Sequence, residues 1–219
     1  ELDRVVRATQ EAEAALAEDR AALEGQREEL EEARARRREL VGRLQASIDD
    51  KGERLERMRA SRERLEELLR RLDSVLGDIP DAPLEERPFG TRRGALEWPV
   101  EGPVRAGYGN ARAGGRMQWR GIVIGADAGT DVRAVYYGRV VFADWLSGFG
   151  QLVIVDHLDG YMSLYGYNRQ LLRSTGDWVA PGEVIATVGD SGGRERPVLY
   201  FEIRHGGQPV DPVRWLARR

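Results

Sequence analysis

Residues 198–204 read Val-Leu-Tyr-Phe-Glu-Ile-Arg. On a strand, alternate side chains share a face. Leu199, Phe201 and Ile203 therefore make one apolar stripe, and Val198, Tyr200, Glu202 and Arg204 make the opposite one. The first stripe is a core stripe. The second mixes an aliphatic, a phenol, a carboxylate and a guanidinium, a set suited to meeting a partner. Short apolar runs of the same kind recur upstream between glycine-centred turns: GIVIG at 121–125, GRVVFADW at 138–145, GQLVIVDH at 150–157, GYMSLYGY at 160–167 and GEVIATVG at 182–189. Regularly spaced short strands of this type predict a compact antiparallel sheet over 98–219, sandwich-like or barrel-like.

The residues before this domain are different in kind. All sixteen aromatic residues lie at Phe89 or later, and about half of residues 1–78 are charged. Residues 1–78 hold no proline and are rich in Ala, Glu, Leu and Arg, which predicts a long helix, roughly 110 Å if unbroken. Leu16, Leu23 and Leu30 recur every seven residues, with Ala12, Ala33 and Leu40 between them. A second seam runs through Val41, Leu44, Ile48, Leu55, Met58, Leu65, Leu69, Leu72 and Leu76. Spacings of three and four make this a coiled-coil pattern. The seams fall out of phase near Leu40–Ile48, where a stutter or a break at Asp49-Asp50 and Gly52 would sit, so one helix and a helical hairpin both remain open. Residues 79–97, with Pro80, Pro83, Pro88, Gly90 and Gly94, read as a linker.

Composition excludes several classes of function. There is no cysteine, so thiol catalysis and thiolate zinc sites are out, and His157 and His205 are the only histidines. A net charge of −3 argues against nucleic acid as a partner. No run of about 18 apolar residues is present. The chain begins at Glu1 inside a helical pattern, which is the expectation for a piece of something longer, with any export signal upstream. GDSGG at 189–193 matches the serine-protease nucleophile motif but lacks its upstream histidine and aspartate framework, and reads as a tight turn. GDWVAPGEVIATVGD has the look of a biotinyl or lipoyl carrier hairpin, but the only lysine is Lys51, in the helical half.

From about Trp98 to Trp215 the sequence resembles the lysostaphin-type (LytM) zinc metallopeptidases of peptidoglycan. The carrying segments are WPVEGPVRAGYG, WRGIVIGADAGTDVRAVYYGRVVFADW, GQLVIVDHLDGYMSLYGY, GDWVAPGEVIATVGDSGG and LYFEIRHGGQPVDP. Active members of that family share H-x-G-x-D, Y-x-H and H-L-H-F-E segments, which supply zinc ligands and a catalytic histidine. In this sequence Trp119 and Val123 stand at the first ligand pair, Tyr167 at the catalytic histidine, and Val198 and Tyr200 at the remaining two histidines. The resemblance therefore implies a degenerate peptidase domain with no catalytic residue, no metal and no cofactor. Glu202 stands where active members also keep a carboxylate, and a structural role is expected for it.

A degenerate LytM domain behind a coiled coil resembles the EnvC-type activators of cell-wall amidases, and WRGIVIGA, ADWL, MSLYGYN and LYFEIR carry that likeness. The resemblance implies a periplasmic division factor that stimulates N-acetylmuramoyl-L-alanine amidases at septal peptidoglycan. Its coiled coil would dock on the FtsEX complex, and peptidoglycan itself is a further candidate partner. The alternatives are an active zinc endopeptidase and a passive wall-binding scaffold.

Strand parity places the candidate groove. It sets Trp119, Gly121 and Val123 opposite Ile122 and Ile124, and Ser163, Tyr165 and Tyr167 opposite Met162 and Leu164. Candidate partner contacts are Arg120, Val123, Phe149, Tyr167, Tyr200 and Arg204, with Arg120 and Phe149 taken from the resemblance alone. The competing readings are core packing for Val123 and Val198, sheet covering for Trp119, and a solvated rim charge for Arg204. The stripe Leu65, Leu69, Leu72 and Leu76 has two readings: an inhibitory cover for the groove, or, as preferred here, the seam of a coiled coil. The self-inhibiting helices of the resembled family are not obvious in so short a linker.

Overall fold

The computed structural model describes residues 2–76, 88–112 and 114–218, and within the helix the side chains of 23–72. Ala12 and Leu16 of the first seam and Leu76 of the second have their side chains outside the described residues, as does the part of the expected linker at 79–87. The chain separates into two compact units, Glu1–Arg54 and Leu55–Arg219. A single α-helix, α1 (Leu2–Leu76), supplies the described residues of the first unit and the opening of the second.

No break occurs at Asp49-Asp50 or Gly52, so the hairpin alternative is set aside. An isolated glycine costs a helix only about 1 kcal/mol, and no proline interrupts the run. In the first unit, pairs at i,i+4 spacing support the exposed surface: Arg36 bonds Glu32 at 3.1 Å and Gln45 bonds Asp49 at 3.0 Å. Among the described residues no helix is long and apolar enough to cross a membrane.

Among the described residues the second unit continues with twelve strands: β1 (Val104–Ala106), β2 (Ala111–Arg112), β3 (Met117–Gln118), β4 (Ile122–Gly125), β5 (Asp131–Arg133), β6 (Gly138–Leu146), β7 (Gly150–Asp156), β8 (Tyr161–Leu171), β9 (Trp178–Val179), β10 (Val184–Val188), β11 (Val198–His205) and β12 (Gln208–Val210). Ten form one antiparallel sheet whose main path runs β1-β4-β11-β8-β7-β6-β9, with β10 joining β5 to β8 and β12 beside β11. β2 and β3 form a separate hairpin.

The sheet buries both faces. One holds Ile122, Ile124, Val153, Val155, Tyr165, Leu199, Phe201 and Ile203. The other holds Trp119, Val123, Leu152, Ile154, Met162, Leu164, Tyr167, Val198 and Tyr200. The β4 and β11 parity is as the sequence predicts. That of β8 is not: Ser163 and Tyr165 lie away from the groove, while Met162 and Leu164 face it. Tyr167 reaches the groove face through a bulge, with φ +66° and a register shift between Gln151 and Val153 on β7. An extra residue in a ladder inverts the alternation beyond it.

Residues 88–97 fold onto the first face. Phe89 is buried there, its ring 4.6 Å from that of His157 and 5.2 Å from that of Trp215. Leu96 bridges Leu216.

Candidate functional site

The side chains singled out from the sequence converge on the second face. Neighbouring strands β4, β11 and β8 place Val123 opposite Tyr200 and Tyr200 opposite Gly166. Gly121 is required at the start of β4, because a Cβ there would lie 2.3 Å from the Phe201 carbonyl oxygen. The rings form a cluster around Tyr200, with centroids 6.0 Å to Trp119, 5.6 Å to Phe149 and 5.8 Å to Tyr167. Two arginines that the sequence reading missed close one end. Arg112 lies 4.1 Å from the Trp119 ring centre, and Arg194 lies 5.0 Å from that of Tyr167. Their only sequence signal is a positive charge in the glycine-rich stretches GNARAGG and GGRER.

This face is covered by the chain's own helix. Leu65 and Leu69 are 2% and 3% exposed and belong to the same cluster as Trp119, Val123, Phe149, Tyr167, Val198 and Tyr200, with Leu68 and Leu72 packed against it. The stripe preferred as a coiled-coil seam is, at these positions, the cover of the groove. The helix fits closely: a Cβ on Gly148, in the turn after β6, would lie 2.5 Å from the Ser61 Cβ.

A chain of charges runs beneath the helix. The Tyr200 hydroxyl donates to the Glu202 carboxylate, and Arg204 Nη1 donates to Glu202 Oε1 at 2.7 Å. Arg204 Nη2 donates to Glu66 Oε2 at 3.0 Å, and Arg120 donates to Glu66 Oε1. Arg204 is 2% exposed and also holds the Gly207 carbonyl through Nε at 3.1 Å, so the solvated-rim reading of this residue fails. Burial pushes the Glu202 carboxyl above its usual range, against the pull of Arg204 and its hydrogen bonds. Burial and then the neighbouring charges of Arg62 and Arg204 lower Arg120. Burial and then the Glu202 charge raise the Tyr200 phenol. Glu66 was missed, because a glutamate beside a seam leucine looks like any other solvated helix charge.

Histidine lies elsewhere. His157 is enclosed on the opposite face, with Nδ1 2.6 Å from the Tyr137 carbonyl and Nε2 2.6 Å from Ser163 Oγ. Burial lowers its pKa to about 4. His205 stacks on Tyr161 at 4.1 Å.

With this geometry in hand, comparison with known proteins places the domain. The model of peptidase family M23 matches residues 117–212. The match runs from β3 to just past β12. The murein hydrolase activator EnvC of Escherichia coli K12 is 44% identical over 193 residues, covering 87% of this chain and 46% of that protein. The murein hydrolase activator NlpD of the same organism is 39% identical over 123 residues, covering 56% of this chain and 31% of that protein. The chain thus spans about half, or less, of the length of these relatives. Among solved structures, a putative M23 peptidase from Pseudomonas aeruginosa superposes with a TM-score of 0.54 at 22% identity, over 70% of this chain and 60% of that one. A zinc-containing peptidase from Vibrio cholerae gives 0.52 at 22% identity, over 57% of this chain and 41% of that one. At such identities the likeness is one of fold.

The M23 fold raises the question of zinc, and the side chains here do not fit it. Trp119, Val123, Tyr167, Val198 and Tyr200 offer an indole, two isopropyl groups and two phenols, where zinc takes imidazole, thiolate or carboxylate. The carboxylate of Glu202 is taken up by Tyr200 and Arg204. Among the described residues no group of three or more His, Cys, Asp or Glu is placed to hold a metal ion.

Proposed function

We propose that this chain is a non-catalytic activator of peptidoglycan hydrolases, and specifically of N-acetylmuramoyl-L-alanine amidases that split septal peptidoglycan in the periplasm. In this reading the M23 groove has exchanged zinc chemistry for helix binding. The observation that carries it is the occupant of the groove: an amphipathic helix, α1, lies over Trp119, Val123, Tyr167, Val198 and Tyr200. A surface that holds one apolar helix face is suited to hold another. The names of the relatives EnvC and NlpD support the same reading.

Arg120, Val123, Phe149, Tyr167, Tyr200 and Arg204 are the proposed partner contacts. The amidase would present a regulatory helix to them, and capture of that helix would shift the enzyme toward its open state. Moving such an equilibrium from 1:99 to 99:1 takes about 5.5 kcal/mol of differential binding. A few buried aromatic and arginine anchors supply energies of that order. Because α1 occupies the same surface, the chain is held inactive until α1 is displaced, and the proposed displacing partner is the FtsEX complex acting through the coiled coil.

Dye release from labelled sacculi tests the proposal, using the chain alone, an amidase alone and the mixture. The expected result is no release by the chain, weak stimulation in the mixture, and strong stimulation when Leu65→Ala and Leu69→Ala loosen α1. Release by the chain alone would mean an active endopeptidase. Sacculus binding with no stimulation by the loosened variant would mean a scaffold.

A further inference from the structure

α1 meets the groove through apolar contacts and one carboxylate. Glu66 forks between two guanidiniums on different strand segments, Arg204 on β11 and Arg120 just before β4. The charges facing this point are Arg120, Arg204 and Glu202 from the sheet domain and Glu66 and Arg62 from the helix. With α1 displaced, two guanidiniums share Glu202 alone, and Glu202 is already bound to Arg204 and Tyr200. Arg204 cannot swing to water, because Glu202 and the Gly207 carbonyl hold it beneath the surface. A purely apolar helix entering the groove would bury that excess positive charge unpaired, which is strongly unfavourable. The groove therefore discriminates by charge as well as by shape.

The register is equally specific. Leu65 and Leu69, four apart, enter the aromatic cluster, and the forked carboxylate follows Leu65 directly. The order is apolar–acidic–x–x–apolar.

We infer that the helix captured from the partner carries this same apolar–acidic–x–x–apolar order and seats its carboxylate on Arg120 and Arg204 in place of Glu66. α1 is then a copy of the ligand it keeps out. The inference rests on the activator reading for the partner's identity and on the groove alone for its chemistry.

The test uses the full chain, opened by Leu65→Ala and Leu69→Ala, and two fluorescent peptides copying residues 60–72. Both are stapled into a helix on the outward face; one keeps Glu66 and the other has Glu66→Gln. At low ionic strength, anisotropy is expected to show the Glu peptide binding about tenfold more tightly. Adding Arg120→Glu, at a half-buried position, is expected to abolish or invert that preference while circular dichroism shows the fold retained. Equal affinity of the two peptides overturns the inference, and so does failure of both to bind the folded, opened chain. Peptide discrimination without amidase stimulation would sink the activator reading and leave the groove chemistry standing. Stimulation with equal peptide affinities would do the reverse.

Discussion

Two stretches of α1 share a composition and a seam but not a fate. Leu40, Val41, Leu44 and Ile48 are 55–61% exposed, whereas Leu55, Leu65 and Leu69 are 7%, 2% and 3% exposed. Both stretches carry leucines at three- and four-residue spacing among Glu and Arg. The heptad pattern says which side of a helix seeks cover, and does not say what covers it. For residues 65–69 the cover is the aromatic face of the sheet domain. The same contrast explains why a seam read as coiled coil can be a groove ligand: the apolar periodicity is the same for both.

The sharpest way to break the comparison is to make one truncation in each stretch. Leu65→Ala removes a fully enclosed side chain and is expected to weaken helix docking by about 2–5 kcal/mol, whereas Leu44→Ala should stay within about 0.5 kcal/mol. Amide hydrogen exchange over residues 57–70 reads the difference, and equal protection in both variants would erase the distinction.

Acid acts on the face of the sheet away from α1. His157 is held neutral, with its pKa lowered to about 4 from 6.5. The unfolded chain thus binds the proton first, so this contribution is complete above about pH 6.5 and is lost as pH falls toward 4, up to about 3 kcal/mol. Urea midpoints between pH 7 and 4 are expected to fall more steeply for the parent chain than for His157→Gln. Parallel curves would contradict the buried neutral ring.

A smaller effect sharpens the fit of the covered stretch. Gly148→Ala places a methyl against Ser61 at a backbone angle of φ +82°, and is expected to cost about 1–3 kcal/mol, in part by lifting α1. Raised exchange confined to residues 57–65 would show it. The smallest effect belongs to the exposed stretch: Glu32→Ala removes an ion pair to Arg36 that is about 70% exposed on both sides, and the thermal midpoint is expected to stay unchanged within error.

Much of the fold and part of the site were legible in the sequence. The alternation in Val198–Arg204 gave both faces of β11, and Ile122 and Ile124 against Val123 did the same for β4. β8 was misread because the bulge at Tyr167 is set by pairing with β7, and no local pattern announces it. Arg112 and Arg194 went unnoticed because single arginines in glycine-rich stretches carry no periodic signal, and Glu66 because its partner Arg204 is 138 residues away.

Local sequence settled the long helix, the antiparallel sheet domain, the run of Trp, Val and Tyr side chains along one face of the sheet, and the apolar stripe along α1. These follow from local rules: periodicity, turn chemistry and the donor atoms each side chain possesses. Only the tertiary structure decided that Leu65 and Leu69 close the groove, that Glu66 bridges Arg120 and Arg204, and that Arg204 is buried. Those facts depend on which distant surfaces come together, and a contact across 138 residues leaves no mark in the spacing of either segment.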